Sequence, residues 1–336
     1  MKEILLVGGA GYIGTVLTEY LLNKNFKVKC LDSLIYSQKD SIKKFLKNPN
    51  YTFILEDMRN NKSIEDYINK NTIKNIVILA GLVGDPITKK YPLESENINY
   101  LATKNFLDKC NGKKIDKIIF ISTCSNYGIV ESNTLADENT ILKPASNYAK
   151  HKVEIEKYIL SLKNKIDYSP TILRFATAFG LSPRMRFDLT INQFTKEILE
   201  GKNLKIYDPD TWRPYCHVID FARLITNVIL TKKDKTNFEI FNAGSDENNF
   251  TKRQILDQII NIIPFKNFTF VKGDPDPRDY RVNFSKIKKI LNFEARYSVQ
   301  DGINEICSAI KSKKLEFQNS NLGELGNFKI SENISK

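Results

Sequence analysis

The sequence predicts an α/β fold, a doubly wound parallel sheet with a smaller α+β domain attached. Three observations predict it. Short β-rich runs alternate with helical stretches through the first half of the chain. Those runs are continuously apolar, as strands are when helices cover both faces of a sheet. The alternation then breaks near residue 177, where short elements and loops take over.

The elements follow in order. Strands are expected at residues 4–7, 28–31, 52–55, 76–79 and 118–121, with helices at 13–22, 41–46, 63–69 and 93–110 between them. Strand and helix in turn imply right-handed βαβ units. A further helix at 147–162 leads to a strand at 171–175. Residues 215–230 and 238–242 read as a strand, helix and strand returning to the sheet. The domain reading is therefore 1–177, joined by 215–247, for the large domain. Residues 178–214 and 248–312 form the smaller one. The polar stretch 313–336, rich in Asn, Ser and Lys, reads as a mobile tail.

The bulk numbers exclude several classes. The chain has 336 residues, 41% of them hydrophobic, enough for a substantial core. Mean hydropathy is −0.35, and no apolar run approaches a membrane span. No signal-peptide pattern precedes the first strand. No membrane association and a cytoplasmic location are expected. The net charge is +12, but the lysines are scattered rather than clustered, so no nucleic-acid partner is expected. Five cysteines without a CxxC, and two isolated histidines, suggest neither a disulfide framework nor a metal site.

The chemistry begins at the first turn. Gly9-Ala10-Gly11-Tyr12-Ile13-Gly14, with Gly8 before it, follows an apolar strand and opens an apolar helix. Glycine permits the tight turn and lets the backbone approach a pyrophosphate, which meets the partial positive charge of the helix N-terminus. This context makes the large domain Rossmann-type. Asp32 ends the second strand, where a carboxylate accepts hydrogen bonds from the adenosine ribose and repels a 2′-phosphate. NAD is favoured over NADP.

A second constellation lies downstream. Thr123 follows a buried strand, and Tyr148-Ala149-Lys150-His151-Lys152 is a Y-x-x-x-K. On a helix, Tyr148 and Lys152 share a face. A phenol has a pKa of about 10. A neighbouring ammonium lowers it toward a usable base, and the Thr123 hydroxyl can orient a reacting alcohol.

GGAGYIG, Asp32, Asp57-Met58, Leu79-Ala80-Gly81, Asn99 in NYLAT, STCSNYG, YAKHK and RPYCHVID together resemble the extended short-chain dehydrogenase/reductases, in the NAD-dependent nucleotide-sugar epimerase/dehydratase family. The resemblance runs from residue 2 to about residue 310. It implies that Gly8, Gly11, Tyr12, Ile13 and Gly14 hold the pyrophosphate side of NAD. Asp32 would hold the ribose, Asp57 and Met58 the adenine, with Leu79, Ala80, Gly81, Asn99, Tyr148 and Lys152 completing the cofactor site. It implies Tyr148 as base, Lys152 as its partner and Thr123 as hydroxyl ligand, acting on a sugar hydroxyl, most often at C4, of a nucleotide-diphosphate sugar. Val83, Thr123, Thr177, Arg184, Arg186, Asn192, Arg213 and Arg281 are the candidate substrate ligands, and Arg278 is a further candidate. A homodimer through helices 93–110 and 147–162 is also implied.

The sequence departs from the family in places. Sugar 4,6-dehydratases carry Asp-Glu after the catalytic Thr; Cys124 and Ser125 stand here, and neither shuttles protons as a carboxylic acid does. Dehydration is disfavoured. Thr177 stands where an Asn is usual, and Arg213-Pro214 where Arg-Asp is usual. His217 and Cys124 read as structural, and Trp212 as a cover for the nucleotide base or a loop filler. The stretches at 182–189 and 211–218 resemble a subgroup of bacterial surface-polysaccharide enzymes that includes GDP-heptose 4-dehydrogenases. The expected activity is NAD-dependent oxidation of the sugar, as a 4-dehydrogenase or a 4-epimerase. A non-catalytic dinucleotide-binding regulator is the rival from another class, and it would not need the Tyr/Lys pair.

Overall fold

A computed structural model of the chain describes residues 2–131, 133–271, 278–313 and 324–331. The first half runs β1 (Glu3–Val7), α1 (Tyr12–Leu22), β2 (Lys27–Asp32), β3 (Tyr51–Leu55), α2 (Asn61–Lys70), β4 (Asn75–Ile78), α3 (Asp85–Lys90), α4 (Pro92–Glu96), α5 (Thr103–Cys110), β5 (Lys117–Thr123), β6 (Leu135–Ala136), α6 (Asn147–Ser161) and β7 (Ser169–Phe175). Then come β8 (Thr177–Phe179), α7 (Thr190–Leu199), β9 (Leu204–Tyr207), β10 (Trp212–His217), α8 (Val218–Leu230), β11 (Glu239–Ala243), β12 (Asn249–Thr251), α9 (Lys252–Ile262), β13 (Phe268–Val271), β14 (Arg281–Val282), α10 (Ser285–Leu291) and α11 (Val299–Lys311).

Seven strands form one parallel sheet in the order β11-β7-β5-β4-β1-β2-β3. Its central strands are buried on both faces, which is why they read as unbroken apolar runs. The strand order reverses between β1 and β4. Such a reversal leaves a crevice beyond the carboxyl ends of the two strands, where ligands bind in doubly wound folds. Beside the sheet, α7, α9 and α11 enclose a second core of Phe194, Ile198, Ile255, Ile259, Ile303 and their neighbours. Two small sheets, β12-β10-β8 and β13-β9, flank it. Among the described residues no helix is long and apolar enough to cross a membrane.

Several expectations change. Residues 41–46 were expected to be α-helical; Lys39–Phe45 forms a 3₁₀ helix. Its apolar residues, Ile42 and Phe45, are three apart, and three residues per turn bring both onto the buried side. The expected helix at 93–110 is interrupted by a π-helical stretch at Asn97–Ala102. The strand at 215 begins at Trp212 and pairs with β8 and β12 rather than with the main sheet; only β11 returns to it. The expected mobile tail is docked over its described part: residues 324–331 bond to loops on three sides of the crevice. Residues 314–323 and 332–336 of that tail lie outside the described residues.

Candidate active site

The crevice is a continuous cleft, and the glycine turn forms one wall of it. Gly8 has φ +84°, donates its N–H to Leu31 O at 2.8 Å, and lies so near the end of β4 that a Cβ would stand 2.5 Å from Ala80 N. A Cβ on Gly14 would meet the Gly9 carbonyl oxygen at 2.6 Å. At Gly8 and Gly14 the turn therefore has no room for a side chain, and its backbone faces the cleft at the start of α1. Asp32 stands beside it, buried. Its Oδ2 accepts from Ala10 N at 2.9 Å and its Oδ1 from Leu34 N at 2.8 Å. Burial pushes its pKa up, while these N–H donors and the Arg184 guanidinium hold it down. A bare glycine cradle against a held carboxylate fits a dinucleotide pyrophosphate and ribose.

Leu79, Ala80, Gly81, Asp57 and Met58 line the same cleft. The Asp57 carboxylate is forked by Arg59, at 3.0 and 2.7 Å, a partner the sequence reading did not include. Asn99 does not line the cleft. Its amide is spent on Leu82, accepting from the N–H at 2.7 Å and donating to the carbonyl at 2.9 Å. The π-helical turn carries it there, so its place is to hold the Gly81–Leu82 turn. Tyr12 and Ile13 lie on the lining, but the Tyr12 hydroxyl bonds to Gly180 O and Asn192 Nδ2.

The candidate reacting groups meet at the other end. Ser146 caps α6, accepting from Ala149 N at 3.2 Å, and fixes the first turn that carries Tyr148. Tyr148, Lys152 and Thr123 all line the cleft. Thr123 Oγ1 accepts from Ser125 N at 3.1 Å, which leaves its hydrogen free to be donated. Burial pushes the Tyr148 phenol up; the Arg186 guanidinium and a hydrogen bond with Thr123 pull the other way. The largest opposing charge is thus Arg186, where the sequence had assigned that influence to Lys152. The Lys152 ammonium donates to Ile121 O at 2.7 Å, 5.9 Å from the centre of the Tyr148 ring. Burial lowers its pKa to about 8, against the pull of Glu156.

Glu156 is the functional neighbour that the sequence reading missed, although it sits one helical turn beyond Lys152 on the same face. It is 2% exposed and forked by Arg174 at 2.7 and 3.1 Å. It also accepts from Asn126 at 2.8 Å and from Ser122, the residue before Thr123. Arg174 continues to the Tyr127 hydroxyl at 3.1 Å. This buried network ties β5, α6 and β7 together directly behind Thr123, Tyr148 and Lys152.

The candidate substrate ligands divide. Val83, Thr177, Arg184 and Arg186 line the cleft. Arg186 is held by Asp188, at 3.0 and 2.5 Å. Asn192 does not reach the cleft: it is fully buried, its oxygen accepting from Gly180 N and its nitrogen donating to Tyr12 Oη and Arg186 O. Arg213 lies against Tyr280 and bonds Trp212 O at 2.6 Å, and Arg281 lies over Trp212, both off the cleft. Arg278 and Tyr280 face the cleft instead, with Arg278 paired to Asp85 at 2.8 Å. Alternate residues of an extended segment point to opposite sides, so 278 and 280 share a side that 281 does not. Pro277, in the same stretch, lies outside the described residues.

The structural readings of other residues agree with their surroundings. His217 bonds Glu305 at 2.7 Å, accepts from Ile219 N, and stacks on Tyr297. Cys124 is buried with its thiol pushed well up by burial. Among the described residues no cluster of His, Cys, Asp and Glu is arranged for a metal.

Residues 4–244 match the profile of the NAD dependent epimerase/dehydratase family. The chain is 29% identical to an uncharacterized UDP-glucose epimerase, YtcB, of Bacillus subtilis, over 90% of this chain and 96% of that one. It is 27% identical to the low-salt glycan biosynthesis protein Agl12 of Haloferax volcanii, over 91% and 97%. Among solved structures, it is similar to UDP-glucuronic acid 4-epimerase of Bacillus cereus in complex with UDP-glucuronic acid and NAD. That structure superposes with a TM-score of 0.81 at 26% identity, covering 93% of this chain and 99% of the other.

Proposed function

The chain belongs to the NAD-dependent epimerase/dehydratase family, and from that premise we propose that it oxidises a nucleotide-diphosphate sugar at its C4 hydroxyl. The cofactor is NAD, which when bound accepts the hydride from the sugar carbon. The observation that carries the reading is the meeting of Thr123, Tyr148 and Lys152 in the cleft that the glycine turn and Asp32 enter from the other side. Thr123 donates to the sugar oxygen and fixes it. Tyr148 takes the hydroxyl proton. Lys152, locked on Ile121 O, supplies positive charge behind the phenol as the site loads. With Cys124 and Ser125 where dehydratases hold carboxylic acids, the keto sugar is not dehydrated.

Two outcomes share these residues. The first is release of the keto sugar, a 4-dehydrogenase acting on GDP-heptose. Its support is the resemblance of residues 182–189 and 211–218 to that subgroup. The second is re-reduction on the opposite face, a 4-epimerase. Its support is the likeness to the UDP-glucuronic acid 4-epimerase of Bacillus cereus, solved with UDP-glucuronic acid and NAD. Residues 1–177 with 215–247 hold the dinucleotide in this reading, and 178–214 with 248–312 hold the sugar nucleotide. Off the cleft, exposed Leu93, Leu101 and Leu160 on and beside α4–α5 and α6 support a homodimer through those helices. A cytoplasmic role in surface-polysaccharide or glycan assembly follows from the substrate class.

The test is incubation with GDP-, UDP- and dTDP-sugars, following reduced nicotinamide by absorbance and products by NMR. A keto sugar formed with equivalent NADH marks the dehydrogenase; a C4 epimer without net NADH marks the epimerase. Neither product from any donor sinks the reading. Asp32→Asn tests the cofactor end separately. Hydrogen bonds to a charged group are worth about 1.5–3 kcal/mol, so NAD binding should weaken roughly tenfold to hundredfold by calorimetry. The loss for NADP should be smaller, because the repelling carboxylate is gone. An unchanged NAD affinity would take Asp32 out of the site.

A further inference from the structure

The segment 324–331 ties together three loops. Leu325 O accepts from Phe187 N at 2.7 Å, Asn327 Nδ2 donates to Val83 O at 3.0 Å, and Ser331 N donates to Ile35 O at 2.8 Å. Ile330 packs with Leu82, Ile87 and Ile98 to seat the strap on the loops around α3.

Two side chains at this crossing lack what buried groups require. Asn327 is 7% exposed and lines the cleft, yet its Oδ1 has no hydrogen-bond partner. A buried acceptor left unmade costs stability, and such exceptions in a folded protein call for a ligand or water. Arg184 is equally buried and also lines the cleft. Among the described residues it makes no ion pair; its Nη2 donates to Gly326 O at 3.1 Å, and its guanidinium lies 4.8 Å from the Tyr36 ring centre. Burial and the nearby Arg186 lower its pKa to about 10. Asp188 and Asp32 act on it only through space, with no carboxylate bonded to it among the described residues, so the guanidinium keeps donors for an anion in the cleft. An acceptor without a donor thus stands beside a guanidinium with donors to spare, and a sugar hydroxyl next to a phosphate satisfies both.

The position of the strap decides which ligand. Its far end bonds to Ile35, in the loop that begins after Asp32, and Tyr36 of that loop lies under Arg184. That loop marks the adenosine end of the cleft. We infer that residues 324–331 form a built-in clamp on the dinucleotide, in which Asn327 accepts a hydrogen bond from a hydroxyl of NAD and Arg184 meets its pyrophosphate. This moves Arg184 from the sugar side, where the sequence placed it, to the cofactor side. Departure of NAD requires the strap to leave its seat, which slows its dissociation. The inference rests on the family's cofactor and not on the identity of the sugar.

The test uses full-length protein with NAD as the probe and GDP-, UDP- and dTDP-sugars as the contrast. Asn327→Ala should raise the NAD dissociation constant about tenfold by calorimetry. It should speed dissociation by a similar factor when bound NAD is chased with a fluorescent etheno-NAD. Ile330→Asp, which unseats the strap and leaves Asn327 in place, should speed dissociation likewise and keeps the test valid if the first variant fails to fold. Changes below threefold in both quantities overturn the clamp. So does a variant that binds NAD as the parent does and loses affinity only for the sugar nucleotide. Sugar turnover is not read, so failure of the C4 oxidation leaves this result standing on its own.

Discussion

Tyr148→Phe should lower kcat by about 10²–10⁴-fold, the range that a positioned general base contributes, while NAD binds as before. The substitution removes one hydroxyl and keeps the ring, which is 8% exposed and wedged at the start of α6. Nothing else that holds the cleft together depends on that oxygen except its contact with Thr123. The sign of the pH dependence follows from the same surroundings. Burial keeps the phenol protonated in the protein without ligands, so the active phenolate grows as pH rises and kcat/KM should climb toward alkaline pH. The Phe variant should lose that limb. Steady-state kinetics of parent and variant across pH, with NAD affinity measured in parallel, check both statements. A variant within tenfold of the parent rate would take the base role from Tyr148.

Arg174→Met should destabilise the fold by about 3–5 kcal/mol, the cost of breaking a buried pair by removing one partner. Arg174 and Glu156 are 4% and 2% exposed, and the guanidinium supplies three of the bonds that Glu156 receives. Without it a buried carboxylate keeps hydrogen bonds only from Ser122 and Asn126 among the described residues. Replacing both partners, as Arg174→Met with Glu156→Leu, should recover much of the loss, since a well-packed apolar pair rivals a buried ion pair. Urea unfolding of the two variants measures the difference. If the single variant lost less than about 1 kcal/mol, the network would be incidental to the fold. The double variant has a second readout. Glu156 bonds Ser122, next to Thr123, and bears on Lys152 from one turn away. A stable double variant should therefore still show a reduced kcat, because the groups beside the phenol are no longer held in register.

The residues show where legibility ended. The glycine turn, Asp32 and the Y-x-x-x-K were readable because each works through local geometry: a tight turn, a strand end, one turn of helix. The substrate ligands were harder. Arg213 and Arg281 were chosen over Tyr280 by residue type, but the alternation of an extended segment turns 278 and 280 inward and 281 outward. Asn192 carries the chemistry of a ligand and spends all of it inside the protein. Asn99 was placed on the cofactor by family resemblance; the π-helical turn delivers it to the Leu82 backbone instead.

By itself the sequence determined the parallel sheet, the NAD cofactor of the family and which residues are the candidates for binding and reaction. Strand periodicity, turn chemistry and i,i+4 spacing act over a few residues and need no knowledge of what lies opposite. Only the tertiary structure decided which arginines face the cleft, that Glu156 and Arg174 brace it from behind, and that residues 324–331 dock on the loops around it. Those are meetings between residues as far apart as Asn327 and Val83. The burial and pairing that give such groups their energy exist only once the chain has brought them together.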